Sequence, residues 1–386
     1  MSLTVESSGY PVPYHPTWDW MDSSKFKTFS TCERMFFYKY VCGLDMKNKS
    51  RHLVIGDAWH KMMEIIGLTD FLSDEDYSEL LIKLSAHSWT SSNILEAAYK
   101  TCLEFPLLKE AVTQAFDYCY EEIPNDLWTM YHDTWSPKVP GRLPLALITY
   151  IMQNREADSA FEIVQHEGVP LVEVGCNFLF SGSRNFLFKA RWDKVLRNKL
   201  TEDLVVREHK TSGNLSMFES EWELAIQPAS YAAAIRMLFP IATTREALVE
   251  MDGISFLKTK LDPKKDEKDP FRHNQCKRVT IRKDHKAFMI WFNEINTRSE
   301  DLYRNYELLH EETPADPLLR AFPMRTNSCH YMYGASCPFV AYCQTYPNPL
   351  QPISEGRLLE NFAVRFWNPD EHKPPKVQLT AGADAD

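Results

Sequence analysis

Two apolar, strand-like segments joined by a polar turn constrain this chain more than anything else in it. They are FLFKARWDKVL and DLVVREHKTSG, linked through RNKLTED. Runs of this kind bounded by polar residues read as an antiparallel hairpin. Residues two apart on a strand point to one face, so Glu208 and Lys210 share a face. An antiparallel neighbour brings Asp193 beside them. Two hard oxygen ligands and one ammonium on a single patch suit Mg²⁺-dependent cleavage of a phosphodiester. A solvated hairpin with a surface ion pair carries the same short pattern, so the pattern needs support from elsewhere in the chain.

Support comes from both sides. Upstream, GDAWHKMMEII reads as an amphipathic helix with Trp59, Met62, Met63 and Ile66 on its apolar face and His60 near its start. Downstream, AIQPASYAAAIRML carries Gln227 and Tyr231 four residues apart, on one helix face. With these residues in this order, the chain resembles the RecB-like branch of the PD-(D/E)XK nuclease superfamily. That branch has a G-x-x-x-H segment, an aspartate, an E-x-K and a Q-x-x-x-Y; here they are Gly56 to His60, Asp193, Glu208 to Lys210, and Gln227 to Tyr231. The literal acidic, proline-bearing signature is absent: Lys194 follows Asp193, and Arg207 precedes Glu208.

The resemblance implies a fold and a mechanism. The fold is α/β, a restriction-endonuclease-like central mixed sheet flanked by helices. Asp193, Glu208, the His209 backbone carbonyl and His60 would hold Mg²⁺ or Mn²⁺, which polarises the phosphoryl group and lowers the pKa of water. Lys210 would position that water and offset charge in the transition state. Gln227 and Tyr231 would hold the phosphate or the Lys210 region in place. Thr211 is a candidate donor to a backbone phosphate, and Glu173 is either a further acidic site residue or an ordinary strand-edge glutamate.

The cysteines give a second signal. Cys329, Cys337 and Cys343 lie in NSCHYMYGASCPFVAYCQTY, and Cys32 lies far upstream in FKTFSTCERMFFYKYVCGL. One early and three late cysteines resemble the AddB-type nucleases and the nucleases of CRISPR adaptation, and that likeness implies a [4Fe–4S] cluster. The final C-x5-C spacing matches, whereas the preceding C-x7-C stands where C-x2-C is common. On ligand type alone the four thiols also suit Zn²⁺, or can be buried and unliganded. A cluster would clamp the N- and C-terminal helices across a long loop. Cys42, Cys102, Cys119, Cys176 and Cys276 show no ligand spacing and read as packing residues.

Composition narrows the class further. The chain has 386 residues, 44% hydrophobic and 25% charged, enough for a large core. No apolar run is long enough to span a bilayer, and the N-terminus lacks a basic region followed by an apolar stretch. With nine cysteines, this points to a reducing, cytoplasmic setting. The net charge of −10 conceals a basic stretch, KTKLDPKKDEKDPFRHNQCKRVTIRKDHK, from which Arg272, Lys277, Arg278 and Arg282 are the expected DNA contacts.

The expected layout is an irregular arm over 1–20, one nuclease domain over 21–345, and an extended tail over 346–386 with its last ten residues disordered. Within the domain, 21–68 gives two helices, the first N-capped by Ser23 or Ser24 and ended by Gly43. A helical insertion spans 69–165, the catalytic sheet and Q-x-x-x-Y helix lie within 166–260, and the cysteine cluster lies in 325–345. The expected activity is a DNA exonuclease acting on single-stranded ends in recombination, repair or phage DNA metabolism, in a bacterial or phage-infected cell. A non-cleaving nucleic-acid scaffold of a recombination complex is the alternative. No G-x-x-x-x-G-K-[ST] loop is present, so unwinding would need a helicase partner.

Overall fold

The computed structural model describes residues 9–68, 72–86, 89, 94–129, 138–239, 247–257, 262–329, 336–357, 362–368, 375 and 377–381. An eight-stranded sheet organises them. Its strands are β1 (Trp20–Met21), β2 (Phe161–Ile163), β3 (Val172–Ser181), β4 (Asn185–Asn198), β5 (Leu204–Ser212), β6 (Ala247–Phe256), β7 (Asn274–Arg282) and β8 (Val377–Ala381). Across the sheet the order is β7-β6-β5-β4-β3-β8, and β1 and β2 also pair with β4. β3, β4 and β5 form an antiparallel meander, while β5 and β6 run parallel. A parallel step needs a crossover, and the helix Ile226–Leu238 lies in that connection.

Two cores cover the two faces. One gathers Phe178, Phe188 and Val249 from the sheet under the helices Ile226–Leu238 and His285–His310, with Trp291 at its centre. Phe178 stacks on Phe188 at 4.8 Å between ring centroids, and Trp291 meets Phe188 edge-on. The other is helical: Arg51–Gly67, Pro106–Glu122 and Leu143–Asp158 surround Trp59 and Tyr150 and close on Phe256 of β6. Each such buried side chain contributes about 1.5–3 kcal/mol. The expected mixed sheet flanked by helices is what forms.

The helical stretch between the two motif regions is also present, as Asp74–Ala86, Ile94–Glu104, Pro106–Glu122, Asn125–Thr129 and Leu143–Asp158. It ends before 161, because Phe161–Ile163 joins the sheet against β4. Pro106 starts a helix at a position whose N–H needs no partner.

Three local expectations are corrected. The first helix, Ser23–Thr31, is N-capped by Asp22, whose carboxylate accepts from Lys25 N–H at 2.7 Å, and not by Ser23 or Ser24. It stops at Cys32, whose extended backbone (φ −160°) interrupts the run before a second short helix begins at Glu33. The basic stretch contains the nine-residue strand β7, in full antiparallel register with β6. The tail is structured as well: Phe362–Val364 pairs with Leu44–Met46, and Val377–Ala381 adds to the main sheet beside β3. Apolar alternation in VQLTA is too short to announce a strand without its partner. Residues 382–386 lie outside the described set.

β8 packs closely on β3: a Cβ at Gly175 would lie 2.3 Å from Gln378 Oε1 and 2.8 Å from Pro375 Cγ. Deleting residues 375–386 removes this edge strand and exposes the face that covers Leu379, which is 9% exposed. We expect about 1.5–3 kcal/mol of lost stability, read by urea denaturation; an unchanged midpoint would mean that β8 is not docked in solution.

Candidate active site

A fork between β4 and β5 makes the site. The two strands are paired from Lys194–Arg207 to Arg197–Leu204, and the ladder ends there. Further along β4, β1 pairs with Leu187 and Phe188. The stretch of β4 between these pairings is satisfied by side chains instead. Tyr231 donates its hydroxyl to the Arg191 carbonyl at 2.6 Å, and the His209 N–H donates to Asp193 Oδ2 at 2.6 Å. Opening the ladder at Asp193 turns a strand residue into a site residue.

Strand alternation then sorts β5. Glu208 and Lys210 point to the side of Val206, and Arg207 and His209 point to the side of Tyr150 and Asp158. Lys210 Nζ donates to Glu208 Oε1 at 2.6 Å, and Gln227 Nε2 donates to the same oxygen at 2.8 Å. Gln227 also meets the Tyr231 hydroxyl at 2.7 Å, which ties the helix Ile226–Leu238 to both strands of the fork. From the opposite side, His60 Nδ1 lies 3.2 Å from Asp193 Oδ1. Gly56, one turn before His60, faces Thr211: a Cβ there would lie 3.3 Å from Thr211 Oγ1, so the glycine lets the His60 helix approach β5.

The two carboxylates differ in their electrostatics. Burial pushes Asp193 up, but the charge and hydrogen bond of His60, with the charges of His209 and Lys210, together outweigh burial and hold it well below the usual carboxylate range. Burial also pushes Glu208 up, and the Asp193 charge adds to that rise. Burial lowers His60, and Asp193 reverses this so that its net shift is upward. Glu208 Oε2 is buried without a hydrogen-bond partner.

An unpartnered carboxylate oxygen beside a second buried carboxylate is the donor set of a divalent cation, so these residues fit one. Among the described residues no three His, Cys, Asp or Glu side chains converge on a common point as a ready-made metal shell. In this arrangement Lys210 and Gln227 hold the other Glu208 oxygen, and His60 holds Asp193.

A family model for the PD-(D/E)XK nuclease superfamily matches residues 23–344. The chain belongs to that superfamily. Membership implies a nuclease, a phosphodiester hydrolase that uses divalent metal ions, with DNA as the implied substrate. No curated protein matches the chain. No described helix is long and apolar enough to cross a membrane.

The nuclease site leaves Glu173 and the expected DNA contacts in different surroundings. Glu173 lies between the Val172–Lys194 and Val174–Trp192 pairs, at φ +54°, with its carboxylate held by Arg191 Nε at 2.7 Å. A glutamate in the left-handed region is uncommon and marks a local distortion of β3 opposite Asp193. Of the four expected DNA contacts, Arg278 is a correction. It is turned inward, donating to Asp158 at 2.6 Å and Asp252 at 2.9 Å. Arg272 pairs with buried Asp266 at 2.6 Å, and Lys277 lies 3.5 Å from exposed Glu219. Arg282 is exposed at the end of β7. Local basic excess misleads here because Arg278 and Lys277 meet acids that are distant in sequence.

The four cysteines come to one region. The Cys337 N–H donates to the Cys329 carbonyl at 2.9 Å, and Ser328, next to Cys329, donates its hydroxyl to the Thr31 carbonyl beside Cys32. Burial pushes the Cys343 thiol up to about 11, and the nearby Cys32 and Cys337 sulfurs push it the same way. Arg34 binds the chain ends together, donating to the carbonyls of Phe322 and Leu319 at 2.9 Å each and Pro347 at 3.3 Å.

Behind β5 lies an ion network that sequence reading missed. Arg207 is fully buried and donates to Asp158 at 2.5 Å and Glu250 at 2.8 Å, while the Tyr150 hydroxyl donates to Asp252 at 2.5 Å. The period-2 acids of LVEMDGISF, opposite Arg207 and His209 in the ladder, were the available signal. Arg207→Ala leaves Asp158 and Glu250 short of a cation in the interior. We expect a loss of about 3–5 kcal/mol, measured by chemical denaturation; a loss below about 1 kcal/mol would place the network's weight on Arg278.

Proposed function

We propose that the chain is a Mg²⁺- or Mn²⁺-dependent deoxyribonuclease of the iron–sulfur, AddB-like type, an exonuclease working on single-stranded DNA ends in recombination, repair or phage DNA metabolism. The observation that carries the nuclease reading is the fork itself: Asp193 held by His60, and Glu208 with one oxygen held by Lys210 and Gln227 and the other buried with no partner.

Asp193 and Glu208, with His60 and the His209 main chain, would hold the metal ion, which supplies Lewis acidity toward the phosphoryl oxygen and a lowered pKa for bound water. Lys210 orients the attacking water and offsets negative charge as it builds on phosphorus. Gln227 fixes the orientation of Glu208, and Tyr231 holds the opened edge of β4. These groups need no motion between strands, because each sits on the rigid sheet or a helix docked to it.

The test is incubation of anaerobically purified chain with end-labelled single- and double-stranded DNA, with Mg²⁺, Mn²⁺ or EDTA. Asp193→Ala is expected to lose metal binding and cleavage together. Lys210→Ala keeps metal affinity and loses about 10²–10³-fold in kcat. His60→Ala is milder and is rescued better by Mn²⁺ than by Mg²⁺. Full activity of the Asp193 or Lys210 variant would sink the assignment. A chain that binds DNA and leaves it intact under every metal condition supports the scaffold alternative.

The cluster proposal rests on the resemblance, on the nearness of the Cys32, Cys329 and Cys337 main chains at one junction, where among the described residues the thiols do not themselves converge as a metal shell, and on the distance in sequence between Cys32 and the other three. Its role is structural, a clamp closing a long loop. About four irons per chain are expected, with broad absorption near 400 nm. Cys343→Ser loses the colour and lowers Tm, while Cys102→Ser does neither. One zinc per chain would replace the cluster by a four-cysteine zinc site, and neither metal would leave core thiols.

A further inference from the structure

We infer that a groove between the helix Ser23–Thr31 and the segment entering Ile226–Leu238 holds one nucleotide of a single nucleic-acid strand beside the scissile phosphate, an inference that rests on the nuclease reading above. The groove has a volume of about 460 Å³. That is the range of small-molecule sites, roughly 300–1,000 Å³, and suits one nucleotide unit rather than a duplex.

Its two walls differ in chemistry. Ser24, Lys27 and Thr31 line it from one face of the helix, at the three- and four-residue spacing that keeps side chains together. The Thr31 hydroxyl donates to the Lys27 carbonyl at 2.8 Å, so the Ser24 hydroxyl and the exposed Lys27 ammonium are the donors that suit a sugar–phosphate backbone. Trp222 and Leu224 form the facing wall. Leu224 is 86% exposed, so its side chain is accessible to a ligand in the groove. An aromatic and an aliphatic side chain accept any base face without reading sequence. Glu221 stands on the same wall, where a carboxylate repels phosphate and accepts from a base amine. The backbone of the strand therefore runs along Lys27 and the base lies toward Trp222.

Two contacts join the groove to the chemistry. Gln227 lines the groove and donates to Glu208. Lys210 Nζ lies 5.5 Å from the centre of the Trp222 ring. Trp222 Nε1 and Ser30 Oγ, both at residues that line the groove, are buried without hydrogen-bond partners. A nucleotide here is consequently the neighbour of the phosphate held at Glu208, and a substrate must present an unpaired base to occupy it.

The test separates binding from cleavage. In a Glu208→Gln background, anisotropy measures binding of a labelled single strand of about eight nucleotides, within the span of known single-strand sites, and of a blunt duplex. Leu224→Glu and Lys27→Glu are each expected to weaken single-strand binding about tenfold with little change for the duplex, and exposed Lys109→Glu serves as the control. Lys27→Ala is expected to lower the slope of log affinity against log salt by about 0.7, one phosphate's share for a single strand. With Glu208 restored, both groove variants keep their rate on bis(p-nitrophenyl) phosphate, a diester too small to reach the groove, and show a raised KM on the oligonucleotide. Unchanged single-strand affinity in both variants, while the unaltered chain binds and cuts, overturns the groove and leaves the nuclease reading standing. Equal weakening for strand and duplex overturns the single-strand assignment. An unaltered chain that neither binds nor cuts any nucleic acid overturns the nuclease reading and the groove with it.

Discussion

The buried ion network behind β5 is the constraint on which the site depends. Arg207, fully buried, and Arg278, half-buried, meet Asp158, Glu250 and Asp252, and Lys194 is close enough for burial and the Arg207 charge to push it down to about 8. Desolvating so many charges costs more than packing apolar residues of the same size in many proteins. What such a network offers is register. β5, β6 and β7 each contribute charged groups, and Asp158 brings in the end of the helix Leu143–Asp158. A slip of one residue would reverse the face on which every side chain lies. Fixing Arg207 and His209 to the rear therefore fixes Glu208 and Lys210 to the front. The same pairing explains why the literal family signature is missing here. Lys194 and Arg207, the residues flanking Asp193 and Glu208, are partners across the ladder and serve the interior.

A second constraint joins the chain ends. Arg34 reaches carbonyls near residues 319–347, and Glu33 accepts from Asn305 at 2.7 Å and Arg325 at 2.9 Å. The helix Ser23–Thr31 ends at this junction and also forms one wall of the groove beside Gln227. Closing a loop of some three hundred residues removes much freedom from the unfolded chain, and it also sets where that wall stands. The cysteines lie in the same junction, yet the hydrogen bonds of Arg34 hold it without them.

Much of the site was legible because its motifs follow two simple periods. Glu208 and Lys210 are two apart on a strand; Gln227 and Tyr231 are four apart on a helix. Both intervals survive folding unchanged, and they put the right side chains together. His60 was legible only through the resemblance, since nothing local distinguishes it from any helix histidine. What sequence reading could not supply were partners chosen at long range. Arg278 looked like a surface cation because Asp158 lies 120 residues away. The last ten residues looked disordered because β8 is a strand only against β3. Asp22 and Ser23 compete for one cap, and the backbone geometry selects the aspartate. Trp222 and Leu224 carry no motif at all and acquire meaning from the helix that faces them.

Those internal pairings also resolve the conflict between an acidic chain and a nucleic-acid substrate. With Arg278 engaged in the interior, Arg272 on Asp266 and Lys277 near Glu219, the stretch that looked like a basic strip presents far less charge than its composition suggests. A chain of net charge −10 whose basic stretch is paired in this way gains less from the general attraction of a phosphate backbone than its composition suggests. On the reading proposed above, its hold on substrate would be local, through Lys210 and the metal ligands at the fork and through the groove beside them. Contacts of that kind would favour a strand that can enter the groove over a duplex that can only lie across it, because an unpaired base offers a stacking face and a flexible backbone while a paired one offers neither. The overall negative charge would then work with the site, repelling long stretches of nucleic acid that do not reach the fork.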